Sequence, residues 1–276
     1  MKRFLLVSVV AVILAASPNA FATVVDLVNN TQGTLNGALY LRASVAPAGS
    51  GNLNSFVRLN PQGNNTFDQG YNTDFRPLQY DENNSPTFTR SLNLSAVPIV
   101  TIAGGICAAG CREFILDINQ SDSDPLLTLN RVVVSLRPSG SSAGATVTAG
   151  TRLGAAAGLF ADDTLVYDSG ADNQIQLNYA LESGSGKGDM YLYIPTSLFT
   201  GANPWVYLYS EFGSLAADTQ CAATPTNPMT SCYANKNAGF DEWAVQSATP
   251  TVPEPTSLVL LGAGLIGLAV ARKKNA

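Results

Sequence analysis

Alternation is the feature that most restricts the fold. Ile175, Leu177, Tyr179 and Leu181 stand at every second position, with Gln174, Gln176 and Asn178 between them. An extended backbone turns such a set toward a core and its partners toward polar surroundings. Phe88, Arg90, Leu92 and Leu94 form a second alternating stretch. Met190 to Ile194 and Trp205 to Tyr209 are apolar or aromatic on both faces, as in strands covered on two sides. Val24 to Val28, Leu39 to Ala43, Ser55 to Leu59, Ile99 to Ile102, Phe114 to Ile118, Arg131 to Leu136 and Thr164 to Tyr167 bring the number of candidate strands to about eleven. No long amphipathic helix stands out, and the 24 Gly and 15 Pro are spread along the chain as turn residues are. The pattern predicts an all-β body, a single jelly-roll-like β-sandwich over residues 23–250. The Gly-, Ser- and Ala-rich stretch from Ser139 to Gly150 reads either as a boundary between two domains or as a long loop.

Charge and composition remove several function classes. Setting aside Lys2, Arg3, Arg272, Lys273, Lys274 and Glu254 at the two ends, 10 basic and 19 acidic residues remain, a net charge of −9. An acidic body is a poor match for nucleic acid, whose phosphates demand clustered Lys and Arg. The chain has no histidine. Ser-His-Asp and Cys-His nucleophile systems and imidazole-based zinc sites are therefore excluded. Carboxylate pairs such as Glu211 with Glu242, or Glu113 with Asp117, would need a separation of roughly 5–9 Å to act on a glycosidic bond. Sequence does not supply that distance, so no catalytic role is assigned.

The two ends carry export signals. Met1-Lys2-Arg3, the apolar run from Phe4 to Ala16 and the small-x-small site Ala20-Phe21-Ala22 predict a signal peptide over residues 1–22, cut before Thr23. The alternative, an N-terminal anchor, conflicts with an apolar run well short of the ~20 residues that span a bilayer. At the other end Val252-Pro253-Glu254-Pro255 leads through Thr256 into an apolar segment, 257–271, and then Arg272-Lys273-Lys274. The prolines keep the backbone extended and open to a processing enzyme. The apolar segment can enter the membrane, and the three cations hold its end on the cytoplasmic side. Gly262, Gly264 and Gly267 and the short length make it a marginal span, suited to a transient hold.

This order of Pro-Glu-Pro, short apolar helix and basic end resembles the tripartite tail of PEP-CTERM proteins of Gram-negative bacteria, over residues 251–276. The resemblance implies recognition and cleavage by an exosortase, with Pro253, Glu254 and Pro255 as the recognition element and Arg272, Lys273 and Lys274 as the stop signal. It also implies delivery to the cell surface or an extracellular polysaccharide matrix. The competing reading is a plain C-terminal anchor. Phe114 to Gln120 with Pro125 to Leu129, and Gly184 to Met190, resemble stretches in the bodies of some PEP-CTERM proteins, without implying an activity. Gly184 to Asp189 lacks the order of a phosphate-binding loop and reads as a hairpin turn.

Cys107, Cys111, Cys221 and Cys232 are an even set in an exported chain, which predicts disulfides. Closeness in sequence favours Cys107 with Cys111 and Cys221 with Cys232; crossed pairs and a four-thiolate zinc site are the alternatives. Asp117, Asn119, Ser121, Asp122 and Asp124 supply oxygens of the kind calcium takes, or else an Asx-type turn with a solvated tip. Trp205, Tyr207 and Tyr209, with Tyr191 and Tyr193 near them, read as a platform for stacking sugar rings or as core.

Together these features predict a non-enzymatic surface or matrix protein. Its partners would be signal peptidase and exosortase during export and then exopolysaccharide, with the membrane engaged only through the tail. The expected cofactor is none, or calcium. The alternative function is a carbohydrate- or calcium-binding module on the cell surface.

Overall fold

The computed structural model describes residues 22–43, 53–60, 65–154, 158–182, 188–222 and 232–246. The expected signal peptide, except for Ala22, and the sorting tail lie outside them. Fourteen strands occur among the described residues: β1 (Val24–Asp26), β2 (Gln32–Leu35), β3 (Ala38–Arg42), β4 (Leu53–Leu59), β5 (Phe67–Tyr71), β6 (Leu92–Asn93), β7 (Ile99–Val100), β8 (Cys111–Asp117), β9 (Leu126–Arg137), β10 (Thr164–Asp168), β11 (Gln174–Asn178), β12 (Met190–Pro195), β13 (Trp205–Gly213) and β14 (Asp241–Gln246). The helical elements described are 3-10 turns, and no described helix is long and apolar enough to cross a membrane.

The strands form two seven-stranded sheets. The first has the order β1-β11-β9-β13-β5, with β10 beside β9 and β6 beside β13; the second has the order β2-β3-β12-β8-β14-β4, with β7 beside β8. Alternate residues of both sheets enter one apolar cluster, in which Leu127, Val132 and Val134 of β9 and Leu208 of β13 join Phe114 and Leu116 of β8, Leu192 of β12 and Trp243 of β14. Side-chain hydrogen bonds bridge the layers. Trp243 Nε1 donates to Ser210 Oγ at 3.0 Å, and the Tyr40 and Tyr167 hydroxyls meet at 2.8 Å. Each settles a polar atom that would otherwise be stranded in a dry core.

The alternating and apolar stretches read from the sequence are strands, with shifted ends. Two parts differ. Tyr179 to Leu181 leave β11 as a 3-10 turn capped by Asn178, whose Oδ1 accepts from the Ala180 amide. Phe88 is in a turn rather than a strand, and its ring lies 3.3 Å from the Arg58 guanidinium carbon, with Phe240 on that cation as well. Stacking on a cation supplied the apolar contact that sequence alternation assigned to a sheet. The parallel pairing of β1 with β11 also departs from the antiparallel pairing of a jelly roll.

The Ser139 to Gly150 stretch packs on the outer face of the first sheet. Ser142 and Val147 lie against it, and the Tyr207 hydroxyl donates to Ser139 O and accepts from the Ser142 amide. Gly70 in β5 shows a close approach of another kind, to the bridged pair Leu59 and Glu82. A Cβ there would stand 2.6 Å from Glu82 Cγ and from Leu59 Cδ2.

Candidate functional site

The aromatic stripe lies under the cover on the first sheet. Tyr207 and Tyr209 of β13 are 1% and 0% exposed, and Trp205 is half-buried at the strand's start. They pack with Tyr71, Val133, Leu153, Leu159 and Phe160 in a second apolar cluster. The sugar-platform reading is therefore corrected: a sugar ring cannot reach the faces of Tyr207 and Tyr209 without lifting the 139–160 segment. Tyr191 and Tyr193 belong to β12 in the other sheet, stacked with centroids 5.8 Å apart. Alternation marked a common face on β13 but carried no information about the segment that covers it.

Carboxylates near the stripe are engaged by backbone amides, and Glu211 ties down the cover. Glu211 on β13 accepts from the Leu153 amide and the Tyr209 hydroxyl. Glu82 accepts from the Tyr71 and Tyr80 amides, and Asp81 from the Gln69 amide. Burial raises the Glu82 carboxyl to about 7, against the opposing pull of those amides. Asp81 also lines a polar cleft of about 410 Å³ with Thr66, Phe67, Gly150 and Ser214.

The proposed carboxylate pairs do not form glycosidase geometry. Glu211 and Glu242 sit on different sheets, each beside a strand neighbour that points into the shared core, so they face outward on opposite sides. Glu113 and Asp117 share the outer face of β8, four residues apart. At ~3.4 Å per residue that is about 14 Å, beyond the reach of a paired mechanism.

The calcium set is likewise not assembled. Asp117 ends β8 and is buried, whereas Asp122 is exposed at the loop tip. Among the described residues no three acidic or cysteine side chains come close enough to hold a metal. The loop is tied down by Asn237 instead, whose side chain accepts from the Ser121 amide and donates to Asp124 O. The cation at this end is Lys236. Its ammonium is fully buried and donates to the Asn119 carbonyl at 2.7 Å, to Asp241 Oδ1 at 3.1 Å and to the Ala238 carbonyl. Asp68 is buried beside Asp241 and Lys236, with neither carboxylate oxygen hydrogen-bonded. Burial, then the Asp241 charge, push its carboxyl well above the usual range, and Lys236 only partly offsets this. Sequence reading missed this group, because a lone lysine before a strand gives no sign of burial.

The cysteines pair as Cys107–Cys111 and Cys221–Cys232, with Cα separations of 5.1 and 5.2 Å. The first bridge clips a loop to the start of β8, and the second lies at the opposite end, where Cys221 packs near Val28, Leu126 and Ala234. β14 runs antiparallel to β8, with Glu242 opposite Asp117 and Ala244 opposite Ile115. The described chain therefore leaves the second sheet at Gln246, toward the Cys111 end.

Fold and sites together define an all-β, two-sheet protein carrying a disulfide at each end. Residues 251–274 match the family model of the PEP-CTERM protein-sorting motif. The chain thus carries a PEP-CTERM sorting motif as its C-terminal tail, and that motif implies an exported protein processed by an exosortase. No curated protein and no solved structure matches it.

Proposed function

We propose that this is a non-enzymatic protein of the cell surface or extracellular matrix. Signal peptidase cuts before Thr23, the tail holds the chain briefly in the inner membrane, and an exosortase then removes the tail. The two-sheet body, read as a β-sandwich, is afterwards retained with exopolysaccharide. The observation that carries this reading is the motif match over residues 251–274, which contains Pro253-Glu254-Pro255 and the basic end. The body supports it by having no histidine and by committing Glu82 and Glu211 to backbone amides.

Deleting Pro253 to Pro255 in the native host tests the reading. The expected result is an unprocessed form that sediments with membranes; normal processing and release contradict it. In the unmodified strain, polysaccharide-degrading treatment should release the mature body from the matrix fraction, and retention after that treatment contradicts the exopolysaccharide step.

A further inference from the structure

The geometry points to a membrane-facing end of the body: the end bearing Ile99, Ile106 and Leu198 rests on the lipid surface while the tail is inserted. This rests on the reading of residues 257–271 as a membrane-inserted segment. Strand register places the exposed apolar residues. Cys111 of β8 lies opposite Pro195 of β12 and Val100 of β7, and Gln246 of β14 lies opposite Leu53 of β4. These positions mark one end of the second sheet. In the first sheet Trp205 and Arg137 share that end, because Pro204 O accepts from the Leu94 amide while Arg112 donates to Leu94 O.

Among the described residues the exposed large apolar side chains are Ile99 at 59%, Leu165 at 53%, Leu181 at 43%, and Ile106 and Leu198 at 38% each. Ile99, Ile106 and Leu198 stand at the end where the chain leaves for the tail. Leu165 is one residue in from it, since Thr164 pairs with Leu136 near the end of β9. Leu181 alone is at the other end, following the Tyr179 amide that donates to Pro125 O.

The surrounding chemistry suits a bilayer. No charged residue occurs from Ser91 to Cys111. Within that run the Cys107–Cys111 bridge holds the loop in place, and Gly104 to Cys107 face Gln32, Thr34 and Leu39 across a cleft of about 340 Å³. An apolar surface free of carboxylates enters the headgroup region without burying charge. The carboxylates of this end, Asp74, Asp162 and Asp163, belong to the first-sheet side; Asp74 accepts from Ser91, Asp162 is paired with Arg137 and Asp163 accepts from the Phe160 amide. Asp26, Asp122, Asp124, Glu182 and Asp218 lie at the opposite end. A leaflet with anionic lipids repels that end and leaves the apolar one to face it.

Tether length selects the bilayer as the occupant. Ten residues, 247–256, separate Gln246 from the apolar segment, a reach of at most about 35 Å. A body of this size is about 45 Å across. The tail therefore keeps the apolar end closest to the membrane, and the acidic end could reach it only if the tether ran across the whole body.

The test uses the full chain reconstituted in phosphatidylethanolamine–phosphatidylglycerol vesicles containing a photoactivatable diazirine phospholipid. Flotation with the vesicles reports tail insertion separately. In the floated chain, lipid adducts should concentrate on tryptic peptide 91–112 and be sparse on peptide 113–131, which carries Asp122 and Asp124. Ile99→Ser with Ile106→Ser should lose most of that labelling with an unchanged melting temperature, while Leu181→Ser leaves it intact. Equal labelling of both peptides, undiminished labelling in the double variant, or chain-to-chain adducts in place of lipid overturns the proposal. A chain that does not float overturns the reading of the tail, and the proposal with it.

Discussion

At the end where β14 leaves the second sheet, the body presents Ile106 on an uncharged loop clipped by Cys107–Cys111, with Ile99 of β7 and Leu198 of the turn after β12. At the other end it presents Asp122 and Asp124 to solvent and encloses Lys236 with Asp241 and Asp68. Apolar side chains are exposed at the first end, and charges are buried at the second. An exposed isoleucine destabilises a fold very little. A buried ammonium is tolerated only while its partners remain. The acidic end should therefore dominate stability, and the apolar end should matter for contacts made outside the molecule.

The largest effect should come from Lys236→Met. It leaves Asp241 and Asp68 buried without their cation, a loss of about 3–5 kcal/mol in chemical denaturation. A loss below about 1 kcal/mol would remove the asymmetry between the ends. The disulfides come next. Cys221 and Cys232 are 11 residues apart and Cys107 and Cys111 only 4. Loop closure then predicts that paired serine substitutions cost about 3 kcal/mol at the acidic end and about 2 kcal/mol at the apolar end. The reverse order would show that the apolar loop is the more demanding structure.

Asp68→Asn gives a smaller change of opposite sign. The folded state holds the Asp68 proton more tightly than the unfolded chain, so its contribution is complete below the unfolded pKa near ~4 and is lost as pH rises through the raised folded value. Removing that charge should raise stability near pH 7 by on the order of 1 kcal/mol and flatten the decline above pH ~4. An unchanged pH profile would place the titration on another buried carboxyl, such as Asp189. The smallest effect belongs to the acidic tip. Asp122→Asn should change stability by less than about 0.5 kcal/mol. Millimolar calcium should leave the melting temperature in place, and a rise on adding calcium would reinstate the metal site.

Where the sequence could be read, the reason was periodicity, and where it failed, the missing information was a partner distant in the chain. β11 is legible because Ile175 and Leu177 alternate with glutamines. β2, β5 and β14 were missed for reasons visible in their residues. Gln32–Leu35 is a polar edge, Phe67–Tyr71 buries Asp68 and Gln69, and Asp241–Gln246 begins with two acids. The two acids of β14 find partners far back in the chain, Arg58 beside Glu242 and the Asn119 amide on Asp241. The sorting tail was fully legible because its recognition is local, a linear order of proline, apolar and basic residues that needs no fold. The aromatic stripe of β13 was legible as a face, but its burial depends on the 139–160 segment, whose glycines and serines give no periodic signal. The apolar end was available as the charge-free run from Ser91 to Cys111, although only strand register shows that it lies beside the exit of the tail.

Intact mass of the native protein, measured separately in membrane and extracellular fractions, tests the central claim most directly. Sorting by an exosortase predicts an extracellular chain that starts at Thr23, has lost the apolar segment and Arg272-Lys273-Lys274, and is lighter than its membrane-bound precursor. A single membrane-bound species retaining residues through Ala276 would contradict it.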